Sequence, residues 1–255
     1  MTYFNRNKLL LNTLETLRES KHDNFGVLVV DDGSEPRFHS GKYPFQVNVI
    51  RIDKEDKKWK THTPAQNIGV KKAIDYGAEV LILQNAEALH IGDVLMYTEN
   101  NLTEQNYLSF ACYSASKESS KFPDVLSTIH ETISGNNVGA FDSEHNSWYN
   151  HPLYRGTGYD FCSAITRENM IKLNGYDERY MNGYCYSDDD LVMRIKRLGL
   201  AIDIPTDPFV VHQWHSSSGA VVDFDKLTIM NRDLYGTIAN TEQGFKATHL
   251  ITPDL

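Results

Sequence analysis

The sequence predicts an α/β fold whose sheet contains parallel strands, and three observations carry that prediction. Two uninterrupted runs of β-formers, Phe25-Gly26-Val27-Leu28-Val29-Val30 and Val80-Leu81-Ile82-Leu83, lack polar alternation, as strands covered on both faces do. Each run ends in a polar loop, Asp31-Asp32-Gly33-Ser34 and Gln84-Asn85-Ala86-Glu87. Carboxyl ends of strands are where open α/β sheets bind ligands. Helical periodicity alternates with the runs, first in residues 7–20 ahead of them, where Leu10, Leu14 and Leu17 share one face and Glu15 and Arg18 lie outside.

The remaining elements follow in order. Val47-Asn48-Val49-Ile50-Arg51-Ile52 alternates like a strand, and a charged loop runs from Asp53 to Lys60. Thr63-Pro64 reads as an N-cap followed by proline at the first helical position, opening a helix through Ala73. Leu89 to Leu102 reads as a helix opened by Gly92-Asp93, and Asn106 to Cys112 as a strand. From Tyr113 to Tyr159 no period is clear, and long irregular stretches in compact domains are usually functional or disordered. Phe161 to Arg167 is the next strand, and Glu168 to Leu173 the next helix. Leu191, Ile195 and Leu198 mark another helix, Ala201–Ile204 and Pro208–Val211 two short strands, and Phe224–Ile238 a last helix. There are no internal repeats and no low-complexity segments.

Bulk properties narrow the possible partners. A chain of 255 residues with 40% hydrophobic and 23% charged residues is globular and buries a substantial core. A formal charge of −9 argues against nucleic acid or an anionic membrane as the main partner. A nucleotide remains compatible, because one local cation outweighs a distant net charge. No apolar run reaches the roughly 20 residues that span a bilayer. Met1 leads into polar Thr2, Asn5, Arg6 and Asn7, unlike a signal peptide. Cys112, Cys162 and Cys185 have no metal or redox spacing and are expected to be buried, reduced thiols.

The densest chemistry lies in Asn182-Gly183-Tyr184-Cys185-Tyr186-Ser187-Asp188-Asp189-Asp190-Leu191. A helix start stabilises a carboxylate, so one Asp here would be ordinary. Three adjacent carboxylates repel one another unless a positive group or a proton relay uses them.

Four motifs occur in a suggestive order: D-D-G-S at Asp31–Ser34, N-A-E at Asn85–Glu87, G-Y-D-E at Gly175–Glu178 leading to D-D-D-L at Asp188–Leu191, and V-V-H at Val210–His212. Together they resemble glycosyltransferases of the GT-A fold, family 2 in particular, with a galactosyltransferase-like acceptor motif. Thr2-Tyr3-Phe4-Asn5-Arg6 resembles that family's P-T-Y-N-R turn, and Pro64–Ala73 its A-R-N-x-G-x-x-x-A helix, with Gln66 in place of Arg. The resemblance implies a Rossmann-like three-layer α/β/α domain with a mixed central sheet. The chain begins where the family's first strand would end, so that strand is expected to be missing. A single domain over residues 1–220 is expected, with a nucleotide-sugar-binding half (1–105), an acceptor-binding half (106–220) and a helical tail (221–255).

The resemblance also implies roles. The donor would be a nucleotide-diphosphate sugar, most simply a UDP-hexose, and the acceptor a hydroxyl on a glycan, as in polysaccharide biosynthesis, or on another molecule. Asp188 aligns with the general base of inverting members. Ser187 replaces the Glu that precedes that base. Asp189, Tyr186 and Trp214 would meet the acceptor. Thr2, Arg6, Asp31, Asp32, Gln66, Asn67 and Asn85 would contact the nucleotide, with Asp32 reading the base. Glu87 and His212 would hold Mn2+ or Mg2+, with His215 in reserve. Asn85 stands where the family has a carboxylate, which weakens the site's charge. Asn67 and Gly69 read equally well as a turn cap and a close-packing glycine. Phe141, Trp148, Tyr149, Tyr154 and Tyr159 suit either the apolar faces of a sugar or, slightly better, the core of a folded flap.

Two alternatives stand beside that reading. Asn85, Gln66 and Ser187 all depart towards weaker chemistry, as in a nucleotide-sugar or glycan-binding module without turnover. A metal-dependent hydrolase would use His212, His215 and the Asp cluster, but H-x-x-H lacks the helical i, i+4 spacing of zinc proteases. A cytoplasmic protein of a microbe or virus is expected.

Overall fold

The run around Val27–Val30 does become a strand with both faces covered. A computed structural model of the protein describes residues 1–135, 146–216, 223–253 and 255. Its first sheet is parallel, with strands β1 (Thr2–Tyr3), β2 (Gly26–Asp32) and β3 (Gln46–Ile52) in that order. Helix α1 (Asn7–Thr16) sets Leu10 and Leu14 against Val27 and Val29 on one face. Helix α2 (Thr63–Asp75) sets Ala65 against Val30 and Ile52 on the other. A Cβ on Gly69 would lie 2.9 Å from a Val30 methyl, so glycine lets α2 approach the sheet.

The first strand is therefore present, contrary to the sequence expectation. Thr2 and Tyr3 pair with Val30 and Asp31, and the Met1 amino group donates to the Leu28 carbonyl. Two residues are too few to show an apolar run. Thr2 also bridges Asn85 in parallel fashion, joining the first sheet to the end of β4 (Val80–Gln84).

The next strands are β5 (Ala88–Ile91), β6 (Asn106–Ser109), β7 (Cys112–Ser114), β8 (Ser147–Asn150), β9 (Cys162–Thr166), β10 (Ala201–Asp203) and β11 (Phe209–His212). The second sheet runs β10-β6-β9-β4, with β9 antiparallel to both neighbours. The third runs β5-β11-β7-β8. The helices are α3 (Val94–Asn101), α4 (Val125–Gly135), α5 (Arg167–Leu173), α6 (Ser187–Arg197) and α7 (Phe224–Thr241). Leu191 and Ile195 of α6 pack with Leu81, Leu83, Tyr107 and Ile165 of the second sheet.

Several local expectations need correction. Leu89 lies in β5, not in a helix, because Ala88–Ile91 pair antiparallel with β11. The helix that follows does begin at Asp93, whose carboxylate accepts from the Met96 amide. Thr63 is already helical, His62 is the N-cap, and the buried Thr63 hydroxyl has no partner among the described residues. The stretch from Tyr113 to Tyr159 contains β7, α4 and β8, and Trp148 and Tyr149 are buried core residues. Phe141 lies outside the described residues. Cys112 and Cys162 are buried, but Cys185 is exposed, because it sits in the turn before α6. Among the described residues, no helix is long and apolar enough to cross a membrane.

Candidate active site

At the end of β2 the chain alternates its two acids. Asp31 takes the Ser34 amide at 2.9 Å, the Phe38 amide at 3.1 Å and the Arg51 guanidinium at 2.9 Å. Burial alone would raise its carboxyl, but these donors hold it below its ordinary value. Asp31 therefore closes its own loop. Asp32, on the other side, takes the Lys57 ammonium at 2.7 Å and the Trp59 indole N–H at 3.0 Å. Burial outweighs these partners and pushes its carboxyl up. Lys57 also lies 4.9 Å over the half-exposed Phe4 ring. The charged loop Asp53–Lys60 thus supplies two partners that residue patterning alone did not single out.

At the end of β4, Glu87 is drawn between three positive or ionisable groups. Its Oε1 lies 2.5 Å from Arg6 Nη1, 3.4 Å from His212 Nε2 and 3.3 Å from His215 Nε2. Burial would raise the Glu87 carboxyl, but His212, His215 and Arg6 hold it well below its ordinary value. Potential ligand atoms of Glu87, His212 and His215 all fall within 4.8 Å of one another. One carboxylate and two imidazoles at this spacing fit a divalent cation. His215, the reserve candidate, joins the group on equal terms. The Asp188–Asp190 cluster does not join it among the described residues, so the hydrolase arrangement of two His with those acids is not formed.

The acidic helix start is built on a strained turn. Cys185 (φ 59°) and Tyr186 (φ 68°) are both left-handed, which side-chain-bearing residues rarely adopt. Helix α7 holds them there: Asn231 donates to the Tyr180 carbonyl at 3.1 Å and the Cys185 carbonyl at 2.9 Å, and Tyr184 donates to the Leu227 carbonyl. From this turn the three acids diverge. Asp190 turns inward to Arg194, 2.6 Å away, both buried. Asp189 takes the Tyr159 hydroxyl at 2.6 Å. Asp188, partly open to solvent, takes the Ser187 hydroxyl and has Asp160 and Asp189 as its acidic neighbours. Enclosure by protein, then the charges of Asp160 and Asp189, push Asp188 well above its ordinary value, and the Ser187 hydroxyl only partly opposes this.

Asp160 escaped the sequence reading. It is 6% exposed and takes the Tyr176 hydroxyl in a short hydrogen bond and the Gln66 amide at 3.3 Å. Because β9 runs antiparallel to β4, with Cys162 opposite Gln84, its amino end lies at the carboxyl end of β4. An acid just before β9 therefore reaches the ligand edge, a signal that only the strand direction reveals.

The other predicted residues divide. Gln66 faces Asp160, and its buried carbonyl oxygen has no partner among the described residues. Asn67 is spent on the G-Y-D-E loop, bonding the Tyr176 carbonyl and amide and the Glu178 carboxylate. Trp214 lies under Lys117, 5.1 Å from its ring centre. Tyr186 packs against Tyr235, and a groove of about 520 Å³ opens between Tyr159, Asp189, Lys196, Arg197 and Tyr235. His62, at the N-cap of α2, senses Asp160, Asp32 and Glu87 together, although enclosure by protein still lowers its pKa. Nearby, the Lys60 and Thr61 amides donate to the Met181 carbonyl.

Sequence comparison matches two separate stretches of the chain. Residues 1–96 match the model of glycosyl transferase family 2, and residues 147–216 match that of the N-terminal domain of galactosyltransferase. The chain is a glycosyltransferase of the GT-A fold. The two matched stretches of this glycosyltransferase contain Asp32 and Glu87 in the first and Asp160 and Asp188 in the second. GalNAc-T7, solved with UDP, GalNAc and Mn2+, superposes with a TM-score of 0.54 at 15% identity, covering 87% of this chain and 44% of that one. The chain thus spans less than half the length of that neighbour. The catalytic domain of Drosophila β1,4-galactosyltransferase 7, solved with xylobiose, gives a TM-score of 0.49 at 14% identity, covering 91% of this chain and 76% of that one. A comparison with curated proteins gives no match.

Proposed function

We propose that this glycosyltransferase moves a hexose from a UDP-sugar to a hydroxyl of a glycan or other acceptor, with cation assistance and inversion at the sugar carbon. One observation carries the reading. Glu87 just after β4, His212 at the end of β11 and His215 bring one carboxylate and two imidazoles within 4.8 Å of one another. In this reading that group holds the cation, Asp32 at the end of β2 reads the base and Asp188 at the start of α6 accepts the proton. In this reading residues 1–105 bind the donor, residues 106–220 the acceptor, and the tail from 221 braces the acidic turn through Asn231.

Each group has a chemical task. The Asp32 carboxylate is an acceptor for the uracil N–H, with Trp59, Lys57 and Phe4 around it. Glu87, His212 and His215 would hold the cation, and two imidazoles suit Mn2+ better than Mg2+, which prefers oxygen ligands. When bound, the cation would offset the negative charge gathering on the departing diphosphate. An acceptor hydroxyl loses its proton far above neutral pH, so a base must take it as attack proceeds. Asp188, raised above an ordinary carboxyl, is the stronger base this step needs. The groove beside Asp189, with Tyr159 and Tyr235, offers aromatic faces to an acceptor sugar.

Calorimetric titration with UDP, with and without Mn2+, tests the donor site, and UDP release from a panel of UDP-hexoses with added acceptors tests transfer. Cation-dependent UDP binding, kept in Asp188→Asn, and acceptor-dependent UDP release, lost in that variant, are the expected results. Absence of UDP binding in both conditions overturns the proposal.

A further inference from the structure

We propose that Gln213 is the positioning residue of the Glu87, His212 and His215 group. It holds one carboxylate and two imidazoles from separate segments close enough for a single divalent cation. The inference rests on the proposed cation role only for what the group binds; the positioning itself stands on hydrogen-bond geometry. Gln213 follows β11 directly, lies between the two histidines in sequence and is fully buried. A buried amide is costly unless its polar atoms are paired, and these are. Its Oε1 takes the side-chain amide of Asn12, on α1, at 2.8 Å. Its Nε2 donates to the Leu9 carbonyl at 3.0 Å and the Glu87 carbonyl at 3.1 Å, with the Thr13 hydroxyl oxygen at 3.3 Å. A donor on one side and oxygens on the other fix which way the amide faces.

The contact with Glu87 matters most. The antiparallel ladder that sets His212 opposite Ala88 runs one residue further, and the Gln213 backbone N–H donates to the Glu87 carbonyl at 3.0 Å. The Gln213 side chain donates to the same oxygen, so one residue uses both of its lone pairs. Glu87 is thereby anchored at its own main chain, close to the bond from which its carboxylate projects. Neighbouring residues of an extended chain point to opposite faces. With Gln213 turned towards α1, His212 points the other way, its ring centre 5.3 Å from that of Tyr149 and 6.2 Å from that of Phe161. The Ala115 amide, just past β7, fixes the His212 carbonyl at 3.1 Å. Two residues beyond Gln213 the chain reaches His215, whose Nε2 lies 3.3 Å from the Glu87 oxygen that His212 meets at 3.4 Å.

Packing alone does not call for an amide here. Leu10 and Leu14 of α1 already share an apolar cluster with Ala86, next to Glu87, so an apolar side chain at 213 would leave that seal in place. What it would lack is a donor to the Glu87 carbonyl and an acceptor for Asn12. A fully satisfied buried network specifies one arrangement of the groups it joins. Here those groups are α1, the segment of Glu87 and the segment of His212 and His215.

Two measurements on the full chain without nucleotide test the role. One is Mn2+ titration followed by electron paramagnetic resonance of the free ion; the other is nitrogen-15 NMR of histidine-labelled protein without cation. In Gln213→Met, which keeps the length but has no amide, Mn2+ affinity should fall by about tenfold or more. The His212 and His215 ring signals, assigned from His212→Gln and His215→Gln, should move, while those of His22 and His249 stay in place. Asn12→Ala, which removes only the contact from α1, should change both readouts in the same direction by less. It gives an independent reading should Gln213→Met fold poorly. A residue that merely braces β11 against α1 would lower the melting temperature and nothing else. Parent-like Mn2+ affinity in every folded variant, or His212 and His215 signals that stay in place in all of them, overturns the proposal. A parent that binds no Mn2+, with ring signals that still move in the variants, would instead sink the cation reading and leave the positioning role standing.

Discussion

Arg6 Nη1 lies 2.5 Å from Glu87 Oε1, the same oxygen that faces His212 and His215. Ion pair and cation coordination thus draw on one atom. Replacing Arg6 with Met should tighten Mn2+ binding in the absence of nucleotide by roughly five-fold, the equivalent of about 1 kcal/mol for a partly exposed pair. The same variant should bind UDP more weakly when Mn2+ is present, because the guanidinium freed by the cation is no longer there for the phosphates. Glu87→Gln removes the carboxylate of the ligand group and should lower Mn2+ affinity by about tenfold or more. Calorimetry reads all three, and equal Mn2+ affinity in Arg6→Met and parent would show that Arg6 does not oppose the cation.

Asp188→Asn should lower transfer by about 10²-fold or more while leaving UDP affinity in place. It should also raise the melting temperature at neutral pH. The folded-state pKa of Asp188 lies above its unfolded value, so its contribution to stability is greatest below the unfolded pKa and is lost as pH rises through the folded one. At pH 7 the acid therefore strains the fold, and the amide does not. Thermal unfolding at pH 5 and pH 8 checks this: the gain from Asp188→Asn should be larger at the higher pH.

The strands that carry the cleft were legible because burial on both faces leaves an unbroken apolar run, as in Val27–Val30 and Leu81–Leu83. Their polar ends, Asp32 and Glu87, could be read from the same pattern. Asp160 could not, since its position follows from β9 running backwards, and a single strand does not announce its direction. Arg6 and His212 were legible only by family resemblance. Their meeting at Glu87 joins residues 81 and 125 positions apart, 81 from Arg6 to Glu87 and 125 from Glu87 to His212. The helix misread at Leu89 shows the converse problem. Four residues of β5 carry too little periodicity to compete with the capped helix behind them.

Asn231 on α7 spans the turn that aims Asp188. Asn231→Ala loses donors to the Tyr180 and Cys185 carbonyls, at a cost of about 1–3 kcal/mol for the groups left unpaired. Cys185 and Tyr186 should then relax from their left-handed conformations and shift Asp188 at the start of α6. Expected are a lower melting temperature and a fall in kcat with little change in UDP affinity, since the donor contacts proposed above lie within residues 1–105. A variant that loses stability but keeps kcat would confine Asn231 to the scaffold.

Asp93 links the start of α3 to the end of the first helical segment. Its carboxylate takes the Met96 amide at 3.1 Å, the Ser20 hydroxyl at 2.7 Å and the Lys21 amide at 2.7 Å. Partial burial opposes the charge, but these donors win and hold its pKa below the ordinary value. A lowered folded-state pKa means stabilisation that is present above the unfolded pKa and lost as pH falls through the folded one. Asp93→Ala should therefore cost about 1–2 kcal/mol at pH 7, the usual worth of an N-cap. That deficit should shrink as pH falls from about 5 towards 2, where the parent loses the same interaction. Urea titrations of parent and variant at several pH values measure it directly, and a deficit independent of pH would mean that Asp93 stabilises the helix start by packing rather than by charge.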